Sequence, residues 1–501
     1  MFYIRTTKTA SGSIAVQIVR YEKRKKIIVK HIGSARNLKE LSLLKENASY
    51  WIKKHTNQPS LFSFRSKKNL LSFVPLSKCE VSGIKYTFVY KVISKIFNLF
   101  KFNFNNQKLF LDLVLIRIIE PTSKLESFVL LDELFGIVHQ RRNFYRLLSS
   151  FVSLKEIIEE KILFFAKKNL DFDFTLVFYD VTTLYFETSK DDDFRNYGFS
   201  KDNKPNQPQI VIGLVVNKEG FPISYQIFEG KTFEGHTVIP VILNLKERYQ
   251  INDLTVVADS AMLSFSNIKK LNEKGIKYIV GARVGSLPFK IIKEINQKLN
   301  QTNGAIIRFK TKNGDLICDF SSKRFLKDKH EMEKQIQKAN NLLTKKGAKI
   351  TKVKFLQNKE KEKEKYILNT KLIEKTKLLL GIKGYYTNLT TIDNQEIINQ
   401  YHNLWHVENA FRIAKSDLKM RPVYQFKKQT IQAHILICFM ALAVSKFMEI
   451  KTGKPIKKII KLLKNIVDVK ILNTLTNEEI TLRSKITDEV KQLLHHLSLW
   501  Y

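Results

Sequence analysis

Two acids in this chain sit where acids are expensive. Asp180 lies inside the apolar, β-branched and aromatic run from Leu176 to Phe186, and Asp259 closes the short apolar run that begins at Leu254. Such runs read as buried strands. An unpaired carboxylate placed there neutralises itself, finds a cation or coordinates a metal. A third acid, Glu408, is the only one between Tyr401 and Ser416. At about 100° per residue, Tyr401, Leu404, Glu408, Phe411, Arg412 and Lys415 share one helical stripe, which turns Glu408 toward the strands. The bland alternative is an ion pair between Glu408 and Arg412 at i+4.

The elements that must bring these acids together follow from the pattern along the chain. Phe174 onward reads as three strands, with Asn217-Lys-Glu-Gly220 as the turn between the second and third, glycine supplying positive φ. A helix from His236 to Arg248 leads to the Asp259 strand, and another from Phe265 to Lys274 leads to Tyr278–Gly281. This is a mixed α/β layer over 170–285, resumed over 391–450. Residues 286–390 interrupt it as an insertion. Its run Lys359-Glu-Lys-Glu-Lys-Glu-Lys365 alternates charge like a solvated turn, and Tyr385 and Tyr386 read first as core packing. Asp393-Asn-Gln-Glu396 has capping-box spacing and opens the Glu408 helix. His402 and His406 are four apart, but Asn403 stands where a zinc-protease helix needs glutamate.

Upstream, residues 84–169 read as a helical region. Residues 1–32 alternate like a small antiparallel sheet with a basic turn, Lys23, Arg24, Lys25 and Lys26. Residues 1–80 hold 17 basic and 4 acidic side chains. They read as a DNA-contacting module and linker, or as a solvated surface hairpin. The whole chain of 501 residues carries 86 Lys and Arg against 47 Asp and Glu, a net +39. That excess points to a polyanionic partner, with lysine-rich solvated faces as the alternative. Cys79, Cys318 and Cys438 lack the CxxC spacing of a zinc knuckle, and a reducing compartment suits them. No signal peptide is apparent. The most membrane-like segment, Ile431–Phe447, contains Gln432, His434 and Lys446, so a buried core helix is expected and no membrane partner. Residues 451–501 read as a helical region.

On these residues the chain resembles a DDE transposase of the insertion-sequence-four group. The matches are Tyr179-Asp-Val-Thr182, Val257-Ala-Asp-Ser260, and Tyr401, Glu408 and Lys415 at the spacing of that group's third-carboxylate signature. Leu404 stands where the group has arginine, which leaves Arg412 as the candidate for that DNA-backbone contact. Ser200-Lys-Asp202, Gly220-Phe-Pro222, Glu229-Gly-Lys231, Met420-Arg-Pro-Val423 and Ala433-His434 extend the likeness over most of the chain. The resemblance implies an RNase H-like catalytic core with a β-rich insertion, which suits the 148 residues between Asp259 and Glu408. It also implies that Asp180, Asp259 and Glu408 bind two Mg²⁺ ions, for which Mn²⁺ can substitute, and cut DNA at the element's ends before joining the freed 3′-OH to target DNA. Tyr401 and Lys415 would position the strand. The implied partners are double-stranded DNA, as terminal repeats and target, and a second copy of the chain in a synaptic complex, with the C-terminal region as the dimer surface. The implied setting is the bacterial cytoplasm at the nucleoid. Two other readings remain: a metal-dependent nuclease on the same fold, and a decayed transposase that only binds DNA.

Overall fold

The computed structural model describes residues 2–23, 25–55, 79–104, 107–262, 264–312, 314–344, 353–358, 366–474 and 477–499. These fall into two compact units, one from residues 1–94, 128–138 and 458–501, the other from residues 95–127 and 139–457.

In the first unit, the strands Phe2–Lys8, Ile14–Glu22 and Lys25–Ala35 form an antiparallel sheet in that order. Val16, Ile18 and Ile32 pack with Leu44 and Ala48 of the helix Leu38–His55. The Asn37 side chain accepts from the Glu40 N–H at 2.9 Å, and Glu40 accepts from the Arg36 N–H at 2.8 Å, a reciprocal cap that fixes where the helix begins. A second sheet pairs Cys79–Lys85 with the hairpin Asp468–Asn473 and Glu478–Arg483. Residues 451–501 are therefore not wholly helical. The helices Ile456–Lys464 and Asp488–His496 flank a hairpin in which Val469, Ile471, Ile480 and Leu482 alternate with polar residues, the period of a strand. The helical stretch 84–169 is likewise divided, since its residues 84–94 and 128–138 belong to this unit.

The second unit is built on an eight-stranded sheet in the order 306–311, 314–320, 382–387, 277–282, 255–258, 176–185, 209–216, 222–229. Strands 176–185, 255–258 and 277–282 run parallel, and all the other pairings are antiparallel. Gln209–Val216 is buried along its whole length, which is why it reads as an unbroken apolar run and does not alternate. The 286–390 stretch does not stand apart as a β-rich insertion. Its strands Ile306–Thr311, Gly314–Phe320 and Ile382–Thr387 lengthen the main sheet; the helix Phe289–Leu299 precedes them, and the helices Ser322–Thr344 and Thr370–Leu378 lie between the second and third. The charged run 359–365 lies outside the described residues.

The helix Lys428–Thr452 is long and apolar enough to cross a membrane by length and composition, and 94% of its apolar window is buried within the protein. It packs against the helix Lys108–Ile119 and the strand Pro222–Glu229. Tyr225 meets Phe439 at 4.7 Å and Phe165 meets Phe447 at 5.0 Å between ring centroids. Being apolar all round, it is the central post of this unit's helical layer.

Candidate active site

The register of the parallel strands places the two aspartates. Tyr179 pairs with Ala258, the last registered pair between 176–185 and 255–258, and Asp180 and Asp259 each follow by one residue. Adjoining strands lie about 4.8 Å apart, so the two carboxylates leave neighbouring strands at the same level. This is also where parallel strands end, the usual position of ligand sites in open α/β sheets.

Each aspartate is held differently. Asp180 is mostly buried, and the Lys201 ammonium lies 3.5 Å from its Oδ1. That ammonium also donates to the Val181 carbonyl at 2.6 Å and lies 3.3 Å from Glu234 Oε1. Burial pushes the Asp180 carboxyl above the usual carboxylate range; Lys201 opposes the rise and Asp259 adds to it. Asp259 is exposed, with Oδ1 accepting from the Ser260 N–H at 2.6 Å and from the Tyr401 hydroxyl at 3.2 Å. Gly281 makes that second contact possible, because a Cβ at this position would lie 2.6 Å from the Tyr401 oxygen.

Glu408 arrives on a broken helix. Asn394–His402 stops, Trp405–Arg412 restarts, and a π-helical turn follows over Ile413–Asp417. Asp393 caps the first segment by accepting from the Gln395 N–H at 2.8 Å. The second segment packs on strands 176–185 and 209–216, and its start rests on the hairpin turn at Gly220, where a Cβ would lie 2.9 Å from the His406 carbonyl oxygen. The break and the π-turn split the expected single stripe. Tyr401, Leu404, Phe411 and Lys415 are buried, whereas Glu408 and Arg412 are exposed. Arg412 donates to the Asn409 side chain at 2.7 Å and not to Glu408. The Glu408 carboxyl is raised by partial burial, then by Asp180 and Asp259, against the pull of Lys201 and Lys383. Glu408 thus senses both aspartates.

Lys415 is directed to Asp202, with Nζ 3.1 Å from both carboxylate oxygens, and Arg421 pairs with the same Asp202 at 2.5 Å. Lys23, Lys25 and Lys26 are exposed at the turn between the second and third N-terminal strands, and Arg24 lies outside the described residues. Sequence reasoning missed Lys201, Asp202, Glu234 and Lys383. Glu234 opens a single 3₁₀ turn before the helix Val238–Arg248, and Asn267 laces that turn to the Asp259 loop by donating to the Gly235 carbonyl at 2.6 Å and the Met262 carbonyl at 2.8 Å. Burial raises the Glu234 carboxyl, with Asp180 and Asp259 adding to the effect. Lys383 lies 4.7 Å over the Tyr401 ring, its pKa lowered chiefly by burial, with Asp259 and Glu408 among the acids that oppose the drop. The usable signals were an acid beside glycine ahead of a helix for Glu234, and the Ser200-Lys-Asp202 stretch for the other pair.

The donor chemistry fits hard divalent cations. The candidate ligands are carboxylate oxygens, and both Asp180 and Asp259 raise the proton affinity of Glu408, as closely spaced acids awaiting a cation do. Among those residues no three acidic, histidine or cysteine side chains are already close enough together to grip an ion.

A family described as "Transposase DDE domain" matches residues 171–444, more than half of the chain. No curated protein matches significantly. Among solved structures, the chain is similar to "Cryo-EM structure of piggyBac transposase synaptic complex with hairpin DNA". Identity is 12% and the TM-score 0.40, over 71% of this chain and 69% of the other.

Proposed function

Because the chain belongs to the DDE transposase family, we propose that it cuts DNA at the ends of an insertion sequence and joins the freed 3′-OH to target DNA, using Asp180, Asp259 and Glu408 on an RNase H-like core. The observation that carries this reading is the register that sets Asp180 and Asp259 side by side, with Glu408 close enough for both to raise its pKa. Three antiparallel strands followed by two parallel to the first, in the sheet order 222–229, 209–216, 176–185, 255–258 and 277–282, support the reading of such a core.

In the first step a water oxygen bonds to phosphorus and the bond to the 3′ oxygen breaks, leaving a 3′-OH and a 5′-phosphate. In the second step that hydroxyl gives up its proton as its oxygen bonds to a target phosphorus, and the bond from that phosphorus to the target's own 3′ oxygen breaks, leaving a target 3′-OH. Two Mg²⁺ ions, or Mn²⁺ in their place, supply nucleophile activation and leaving-group stabilisation when bound. Asp180, Asp259 and Glu408 are the side chains that would hold these ions. Tyr401 keeps the Asp259 carboxylate pointed into the site through its hydroxyl. Lys201 balances charge between Asp180 and Glu234. Exposed Arg412 and the basic turn at Lys23, Lys25 and Lys26 supply phosphate contacts, and Lys415 acts beside the site from its seat on Asp202. Cutting two ends together calls for two copies of the chain, with the C-terminal segment as the meeting surface, acting on DNA in the bacterial cytoplasm.

The test is a strand-transfer assay with duplexes bearing the element's terminal repeats. Mg²⁺-dependent 3′-OH ends and joined product are expected, both abolished in Glu408→Gln. Free 3′ ends without joined product would instead mark a nuclease. Cleavage unchanged in Glu408→Gln would remove this site from the chemistry.

A further inference from the structure

A second polar site lies outside the carboxylate cluster. The loop after the helix Lys108–Ile119 and the segment 419–425 enclose a cavity of about 330 Å³ lined by Arg117, Thr122, Ser123, Lys124, Arg421 and His434 among others. None of its lining residues is acidic. Arg117 is only 4% exposed, and its one hydrogen bond among the described residues is a long one, 3.5 Å, to the Lys419 carbonyl. Among the described residues no carboxylate pairs with Arg117 or Lys124. A buried guanidinium lacking an anionic partner costs several kcal/mol, on the order of the penalty for any desolvated ion.

The neighbouring groups make the arrangement specific. His434 is buried, and burial, then the charges of Lys124 and Arg117, push its pKa well below the ordinary range, so the ring is neutral; Nε2 lies 3.0 Å from the Met420 carbonyl and donates to it. Its Nδ1 is then an acceptor, and the Lys124 ammonium donates to it at 3.3 Å. Burial, followed by the charge of Arg117, pushes the Lys124 ammonium down to about 7. An anion in the cavity would reverse both effects, restoring the lysine's charge and giving Arg117 a partner. The hydroxyls of Thr122 and Ser123 add donors of the kind that phosphate oxygens accept.

We propose that the Arg117–Lys124 cavity is a phosphate-binding subsite that grips one backbone phosphodiester of the DNA strand entering the active site. The assignment to DNA rests on the transposase reading, whereas the phosphate chemistry does not. Continuity favours the DNA backbone over a free ion. Arg421 lines the cavity and also pairs with Asp202, which holds Lys415, and the preceding residue, Lys201, contacts Asp180. The cavity and the carboxylates are therefore joined by a short run of charged side chains, along which successive phosphates of one strand can lie.

The experiment uses the full chain and Lys124→Gln, with Arg117→Gln as a second variant and exposed Lys334→Gln as a control for simple charge loss. Affinity for a terminal-repeat duplex is measured against salt, and thermal midpoints are measured with and without inorganic phosphate. Loss of one phosphate contact lowers the log–log salt slope by about 0.9. That drop is expected in Lys124→Gln and Arg117→Gln but not in Lys334→Gln, and phosphate should stabilise the wild type and Lys334→Gln but neither cavity variant. In the wild-type protein, the duplex should also shield Lys124 from amine acylation read by mass spectrometry, a measurement independent of whether either variant folds. Unchanged slopes in folded variants, or Lys124 acylated equally with and without duplex, would overturn the proposal. Phosphate protection lost while the slope is unchanged would overturn the DNA assignment in favour of a free ion. If the wild type neither binds nor cuts the duplex, the transposase reading fails, and phosphate protection lost in Lys124→Gln still identifies a phosphate site.

Discussion

Asp180, Glu234 and Glu408 all have carboxyls raised above their ordinary values. A folded-state pKa above the unfolded one means that these groups contribute stability that is fully present below the unfolded pKa, about 4. That stability is lost as pH rises through the folded value. At neutral pH the metal-free site is therefore a stability liability, and Asp180→Asn should melt at a higher temperature than wild type at pH 7, with the gap closing toward pH 4. Divalent ions should raise the wild-type midpoint and leave the variant's unchanged, since only a state that binds the ion gains from it. Calorimetric scans at the two pH values, with and without Mg²⁺, check both signs. Cleavage by Asp180→Asn, Asp259→Asn or Glu408→Gln should fall by more than about a hundredfold, beyond the cost of losing an outer-shell partner. Tyr401 illustrates that outer shell. Tyr401→Phe keeps the ring and removes the bond to Asp259, so cleavage should drop roughly 10- to 100-fold, for about 1 kcal/mol of stability. Equal cleavage by Tyr401→Phe and wild type in a single-turnover assay would show that Asp259 does not need this hydroxyl.

Gly220 and Gly453 separate site geometry from stability at the scale of elements. Both have positive φ, +79° and +65°, but a Cβ at Gly220 would meet the His406 carbonyl oxygen at 2.9 Å while one at Gly453 meets nothing within 4 Å. Each change to alanine should cost about 1 kcal/mol from backbone strain. Gly220→Ala should also push the Glu408 helix and depress cleavage, whereas Gly453→Ala should melt earlier and cut normally. Equal activity in the two would mean that the Gly220 turn does not set the Glu408 helix. The same elements mark what was legible in the sequence. The strands carrying Asp180 and Asp259 could be read because an acid inside an apolar run stands out against its neighbours. The Glu408 helix was legible as a helix, but the break at Asn403 and the π-turn carry no periodic signal, so burial of its face was over-predicted. Lys201 and Glu234 sit on irregular segments, where only the closed chain reveals what they touch. The hairpin at 468–483 had a readable alternation, yet its third strand, Cys79–Lys85, lies about three-quarters of the chain's length away. Pairing at that separation is invisible to local pattern.

At the scale of the whole molecule, the net charge of +39 is the dominant fact. If the basic surfaces contact six to ten phosphates, duplex affinity should fall about 10³- to 10⁵-fold between 50 and 200 mM salt. An affinity insensitive to salt would assign the excess lysines to solvation alone. The central claim is narrower: acids far apart in the chain, on two neighbouring strands and a helix laid over them, act together as one divalent-cation site. Crystals grown with Mn²⁺ and a terminal-repeat duplex test it most directly through anomalous scattering. The account predicts manganese bound by oxygens of Asp180 together with Asp259 and Glu408, each within about 2.2 Å, the reach of a carboxylate on a small divalent ion. Manganese bound elsewhere, or a Glu408 carboxylate left out of the coordination, would contradict it.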